Sequence, residues 1–238
     1  GNSLSDQMIN LLSTTIKEVS VDKLIKVIVI AATGKIFCSG HNLKEITVAR
    51  ENNDQGESYF RDLFESCSTL MQSIVNCPKP VIAEIDGIAT AAGCQLVASC
   101  DLAVASDSSS FATPGVNLGL FCSTPMVALS RNVKKKDAMK MLLTGDMIDS
   151  AEAKRISLIN DHVPSENLST EVMELANKIA SKSMQTVKIG KSAFYKQAEL
   201  SLSDAYKYTS EIMAENTMNK DAKEGISSFL EKRKPNWE

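Results

Sequence analysis

Phe37-Cys38-Ser39-Gly40-His41-Asn42-Leu43-Lys44-Glu45 and Asp86-Gly87-Ile88-Ala89-Thr90-Ala91-Ala92-Gly93-Cys94-Gln95 decide the reading of this chain. Each follows an apolar run of strand character, Lys26 to Ala32 before the first and Val81 to Ile85 before the second. Gly40 lets the backbone turn sharply and leaves the His41 amide without a regular partner. Ala92 and Gly93 stand at a helix start, where first-turn amides and the positive end of the helix dipole point outward. If the two loops converge they can polarise one carbonyl oxygen, and a single such donor is typically worth about 3 to 4 kcal/mol in a transition state. Taken singly, each is equally a tight strand-to-helix turn.

Outward from these loops the chain alternates strand and helix. Ser5 is placed to cap a helix carrying Met8, Leu11, Leu12, Ile16 and Val19 at helical spacing, and Lys26 to Ala32 then reads as a fully buried strand. Tyr59, Leu63, Phe64, Cys67, Leu70, Met71 and Ile74 form one face of a second helix, stopped by Cys77-Pro78-Lys79-Pro80. Ala92 to Ser99 makes a short helix, Leu102 to Ala105 a strand, and Phe111 to Ala112 an extended piece before Pro114-Gly115. From about Lys135 helices dominate, over Asp137 to Leu143, Ala151 to Ile156, Glu166 to Ser181, Gln185 to Ala198 and Ser203 to Met218. The fold class is α/β, with residues 1–140 as its core and 141–238 as a helical region. Glu51-Asn52-Asn53-Asp54-Gln55-Gly56 is polar enough for a mobile loop that could gate the first amide.

The composition fits a soluble globular protein, with 43% hydrophobic and 23% charged residues in 238. A net charge of -3 gives no electrostatic ground for holding nucleic acid, and Lys134-Lys135-Lys136 reads as a solvated helix start. No apolar run approaches the ~18 residues of a membrane span. Cys38, Cys67, Cys77, Cys94, Cys100 and Cys122 show neither disulfide nor metal-site spacing and read as reduced, buried thiols of an intracellular protein.

Phe37 to Glu45 and Gly87 to Leu96 resemble the two oxyanion-hole segments of the crotonase, or enoyl-CoA hydratase, superfamily. Further matches are Asn2-Ser3-Leu4, Cys100-Asp101-Leu102-Ala103, Leu143-Thr144-Gly145 with Ala151-Glu152-Ala153, and Glu224-Gly225 through Phe229-Leu230-Glu231-Lys232-Arg233-Lys234-Pro235. The runs His41 to Glu45, Ala89 to Asp101 and Ser110 to Gly115 look closest to one branch whose members are mitochondrial in animals. The resemblance covers nearly the whole chain. It implies a spiral core of stacked β-β-α turns and a C-terminal helical region serving trimer contacts, in a homotrimer or hexamer. The strand pair that relatives carry before the position of Asn2 is absent, leaving either a fragment of a longer chain or an edge covered otherwise.

By the same resemblance the His41 and Ala92 amides form the oxyanion hole for an acyl-CoA thioester. The coenzyme A arrives with the substrate, so no separate cofactor or metal is expected. Lys44, Gly93, Phe229 and Lys232 match positions that approach coenzyme A, the last two from a neighbouring subunit; core packing for Phe229 and plain solvation for the lysines are the alternatives. The two glutamates of the family's hydratases are matched by Gln95 and Gly115. A glutamine cannot take a proton from water near neutral pH, and glycine has no side chain, so ordinary hydration is not expected.

Substitutes are few. The His41 imidazole is a titrating group beside the hole, or else packed away, and Cys122 stands where relatives have a glycine-rich turn near the acyl group. Asp86 and Asp101 read as turn or helix caps, Glu45 as a cleft carboxylate or a helix-start charge, and His162 as an unpartnered surface turn residue. Two functions follow: an acyl-CoA-processing enzyme with an unusual site, or a non-catalytic acyl-CoA-binding relative. The expected compartment is the mitochondrion for a eukaryotic source and the cytoplasm for a bacterial one.

Overall fold

The computed structural model describes residues 1–237. The chain winds so that each turn gives one strand to each of two sheets. The first turn contributes β1 (Ile28–Ala31) and β2 (Ile36–Cys38), the second β3 (Val81–Ile85) and β4 (Ile88–Thr90), and the third β5 (Leu102–Ser106) and β6 (Ser110–Ala112). β1, β3 and β5 run parallel in one sheet while β2, β4 and β6 run parallel in the other. β7 (Ile148–Asp149) closes the second sheet as an antiparallel strand and β8 (Asp161–Val163) the first as a parallel one.

A tight corner links the first two turns. Gly87 has φ of 107°, and a side chain there would collide with the Lys35 carbonyl of the turn below. Only glycine permits both that backbone and that approach.

The helices form where the apolar spacing predicts them, but the first buries a different face from the one expected, with Ile9 inside and Leu11 outside. α1 (Asp6–Val21) is capped by Ser5, whose Oγ accepts the Met8 amide at 3.2 Å. It buries Ile9 and Ile16, whereas Leu11 on its outer face is 58% exposed. α2 (Leu43–Ala49) follows the first loop, and α3 (Glu57–Val75) buries Leu63, Cys67, Leu70, Met71 and Ile74. α4 (Ala92–Ser99) is buried along its whole length. Each fully buried aliphatic or aromatic side chain in this layer contributes roughly 1.5 to 3 kcal/mol.

A 3-10 helix (Pro114–Leu118) leads to α5 (Ser123–Asn132) and α6 (Lys135–Thr144), the latter starting at the solvated lysine run. α7 (Ser150–Arg155), α8 (Ser165–Ala180), α9 (Met184–Gln197), α10 (Leu202–Thr217) and α11 (Lys220–Leu230) complete the chain. The tail folds back onto α11: Arg233 Nη1 holds Glu224 Oε1 at 2.5 Å, and Trp237 Nε1 donates to the Ser181 carbonyl at 2.8 Å.

Three further expectations are corrected. β1 is a half-buried edge strand, because it pairs with β3 on one side only. Strand pairing continues past Lys135, since β7 and β8 are held by the existing sheets despite their short length. His162 lies in β8 rather than in a surface turn, and its Nδ1 meets Asp107 Oδ1 at 2.5 Å. That carboxylate, 55 residues earlier, is brought to it by the β5–β8 pairing.

Candidate active site

The two opening loops meet. Gly40 has φ of 87°, and a Cβ on it would lie 2.9 Å from Ala91 Cβ, 3.1 Å from the Thr90 carbonyl oxygen and 3.4 Å from the Ala92 nitrogen. One residue into α4, a side chain on Gly93 would collide with the Cys38 carbonyl. The end of β2 therefore rests against the first turn of α4 with no side chain between.

Local bonds hold each amide in place. Leu4 N donates to the Gly40 carbonyl at 2.8 Å, and Leu4 and His41 form an isolated parallel bridge. Asn42 caps α2 by accepting the Lys44 amide at 3.1 Å and donates to Glu45 Oε1 at 2.9 Å. Ala91 N donates to the Ala112 carbonyl at 2.9 Å while the residue sits at φ 52°, ψ -118°, a conformation that costs an L-residue of order 1 to 3 kcal/mol. Among the described residues, neither the His41 nor the Ala92 amide is a donor in a hydrogen bond of the turns and loops.

The His41 ring points into the protein. It packs edge-to-face on Phe64 of α3 with centroids 5.4 Å apart at 79°, and neither ring nitrogen has a hydrogen-bond partner among the described residues. Burial lowers its pKa below the ordinary value of 6.5, so the imidazole is neutral near pH 7. The packed alternative holds, and the backbone is what the residue offers to the loop.

Gln95 lies one turn inside α4, 4% exposed, with Oε1 buried and unpartnered. Thr113 is 1% exposed with its Oγ1 likewise unpartnered, immediately after the Ala112 carbonyl that receives Ala91 N. Sequence reasoning did not single Thr113 out. Its signal was its place between the extended Phe111 to Ala112 and Pro114-Gly115. A buried polar atom without a partner costs about 1 to 3 kcal/mol, so both side chains favour a polar guest.

Gly115 is buried in the 3-10 helix with Cys122 beside it, and burial pushes the Cys122 thiol above its usual pKa. The thiol is protonated, which suits a weak donor better than a nucleophile. All six cysteines are free and buried.

Asp101, Asp86 and Glu45 are each held by hydrogen bonds. Asp101 accepts Val81 N at 2.7 Å, Lys191 Nζ at 2.6 Å and the Tyr195 hydroxyl at 2.9 Å. Asp86 accepts the Ser165 hydroxyl at 3.3 Å. Glu45 accepts from Asn42 and from the Asp6 amide, which makes it part of the helix-start network. Lys44 is exposed at the start of α2 beside the first loop. Phe229, 83% exposed, and the exposed Lys232 lie at the end of α11, which packs on α9 and α10.

A family model described as enoyl-CoA hydratase/isomerase matches residues 1–238. The chain belongs to the enoyl-CoA hydratase/isomerase family. Within it, the chain is 52% identical over 236 residues to the enoyl-CoA hydratase domain-containing protein 3, mitochondrial, of Xenopus laevis, covering 99% of this chain and 79% of that one. The Homo sapiens protein of the same name is 50% identical over 236 residues, covering 99% and 76%. The crystal structure of the human protein superposes with a TM-score of 0.94 at 50% identity over 99% of this chain and 91% of that chain. An enoyl-CoA hydratase structure from Mycobacterium smegmatis gives a TM-score of 0.93 at 44% identity, over 99% and 90%. The fold is thus the crotonase spiral, and the family branch read from the loop residues is the one these relatives carry.

Proposed function

We propose that this enoyl-CoA hydratase/isomerase family member is an acyl-CoA-processing enzyme of fatty acid or related thioester metabolism, in which the His41 and Ala92 amides hold the thioester oxygen as an enolate forms. The observation that supports this is the close approach of Gly40 to the first turn of α4, which brings the backbones of the two loops together. Two preorganised donors aimed at a developing oxyanion need no reorganisation when the charge appears.

Within this reading, Lys44 and Gly93 lie on the coenzyme A side of the cleft, and Phe229 and Lys232 reach the nucleotide of a neighbouring subunit's ligand. Coenzyme A comes and goes with the substrate. The assembly is a homotrimer or hexamer; Leu202, Phe229 and Leu230, each more than 70% exposed in the single chain, support association through the C-terminal helices. For a eukaryotic source, the naming of the similar proteins supports a mitochondrial location.

Gln95 and Gly115 supply no proton acceptor, the His41 ring is packed on Phe64, and the Cys122 thiol is protonated. The reaction therefore draws on enolate stabilisation rather than on a carboxylate pair. The same absence favours the second reading, a non-catalytic acyl-CoA-binding protein.

Replacing Ala92 by proline deletes the amide hydrogen at the first position of a helix, where proline's missing donor is tolerated. Calorimetric titration with a non-reactive acyl-CoA, beside turnover of enoyl-CoA thioesters, tests the reading. Binding with turnover that falls about 100- to 1,000-fold in Ala92→Pro supports the enzyme. Binding without turnover in the wild type leaves the carrier, and absence of both removes the acyl-CoA assignment.

A further inference from the structure

Gly115 has no room for a side chain because the chain itself fills the space. A Cβ built on it would stand 2.9 Å from Cys122 Sγ, 2.9 Å from the Leu120 carbonyl oxygen and 3.3 Å from the Cys122 nitrogen. The sulfur and the carbonyl oxygen stand well inside contact distance of such a carbon, and the nitrogen lies tight against it.

The obstacles are anchored. Leu120 N donates to the Gly115 carbonyl at 2.9 Å, tying the turn to the glycine it covers. Cys122 is the N-cap of α5 and its carbonyl accepts Met126 N at 2.9 Å, so the backbone that carries the thiol is fixed by a helix. On the other side, a Cβ on Gly145 would be 3.1 Å from Pro114 Cα and 3.0 Å from Asn117 Nδ2, so the 3-10 helix is held there too. Residue 115 can retreat in neither direction.

We propose, building on the acyl-CoA reading of the same cleft, that Cys122 is a specificity-determining residue. Its thiol, together with the Leu120 carbonyl, occupies the volume of the side chain that residue 115 lacks, and it is the part of that obstruction which a side-chain change can remove to admit a second hydratase carboxylate. Gly115 and Cys122 are one coupled position. A glutamate pair at 95 and 115 cannot take up working geometry while the cysteine stays. At this place the chain presents a neutral S–H in place of a carboxylate.

Two measurements on the full chain test this. In the first, thermal melting compares Gly115→Ala, Cys122→Gly and the double variant; glycine is well tolerated at an N-cap. Gly115→Ala is expected to lower Tm by about 3 °C or more, and the double variant to melt above Gly115→Ala, the reverse of additive loss. A double variant that melts lower still, or that fails to fold where Gly115→Ala also fails, overturns the steric coupling whatever the ligand.

In the second, crotonyl-CoA hydration is compared in Gln95→Glu/Gly115→Glu and in the triple variant with Cys122→Gly. At least tenfold faster hydration by the triple variant is expected. Equal rates in the two overturn the specificity role. If neither variant binds a non-reactive acyl-CoA, the acyl-CoA reading has failed and the specificity role falls with it, while the melting result still decides the coupling.

Discussion

Lys191 Nζ of α9 lies 2.6 Å from Asp101 Oδ2, and both side chains are largely buried. The same ammonium donates to the Ile74 and Lys79 carbonyls at 3.0 Å each, and the carboxylate also takes the Val81 amide and the Tyr195 hydroxyl. One ion pair thus fastens a C-terminal helix to the end of α3 and the start of β3. Removing one partner leaves the other buried and uncompensated. Lys191→Met is expected to cost about 3 to 5 kcal/mol in urea unfolding. A loss below about 1 kcal/mol would show that the pair is solvated in solution.

Gly93 and Gly190 make a matched pair of glycines on helices. A methyl at Gly93 would collide with the Cys38 carbonyl, whereas nothing stands within 4 Å of one at Gly190. Gly93→Ala should therefore unfold or severely destabilise the protein. Gly190→Ala should stabilise it by about 0.5 to 1 kcal/mol through helix propensity. Chemical denaturation of both reads the contrast, and equal effects would refute the close approach of β2 to α4.

Ala91 holds a backbone at φ 52° that glycine adopts without strain. Ala91→Gly should raise stability by about 1 kcal/mol, relief of strain outweighing the extra freedom of the unfolded chain. Destabilisation by that amount would mean that the Ala91 methyl packs more favourably than its backbone is strained.

His41 links stability to pH. Its folded pKa is lowered by burial, so the unfolded chain binds the proton more tightly. Its contribution is fully present above the unfolded value of about 6.5 and is lost as pH falls from there through the lower folded value. Melting temperatures at pH 7.5 and pH 5 should diverge more for the wild type than for His41→Asn. Identical pH profiles would place the ring in solvent.

The turn between α2 and α3 should behave differently in acid. Asp54 is held down to about 2 chiefly by the Ser58 hydroxyl, with the Ser58 and Gly56 amides adding to it. Because its folded pKa is depressed, whatever it contributes is present above its unfolded value and is lost as pH falls toward about 2. Removing its carboxylate in Asp54→Asn should leave the wild-type pH 5 to 7 profile unaltered, which melting across that range checks.

Much of this fold is legible in the sequence alone. α3 followed from Leu63, Cys67, Leu70, Met71 and Ile74 at helical spacing, and β3 from a short apolar run closed off by two prolines, because both signals are local. The loops at Gly40 and Ala92 were legible because glycine and small residues at strand-to-helix corners carry their meaning in the backbone. β7 and β8 were not, since strands of two and three residues exist only by pairing with β6 and β5. His162 was misread for the same reason, as its partner Asp107 is distant in sequence.

The sequence by itself determined that each loop puts a glycine or small residue at a strand-to-helix corner and that residue 95 is a glutamine and residue 115 a glycine, neither able to take a proton near neutral pH, because side-chain chemistry is fixed by residue identity. Tertiary structure alone decided that Gly40 lies against Ala92, that the His41 ring turns toward Phe64, and that Cys122 fills the space beside Gly115. Those are contacts between residues 7 to 52 positions apart, set by how the turns of the spiral stack. No local preference encodes that stacking; close packing of the whole core does.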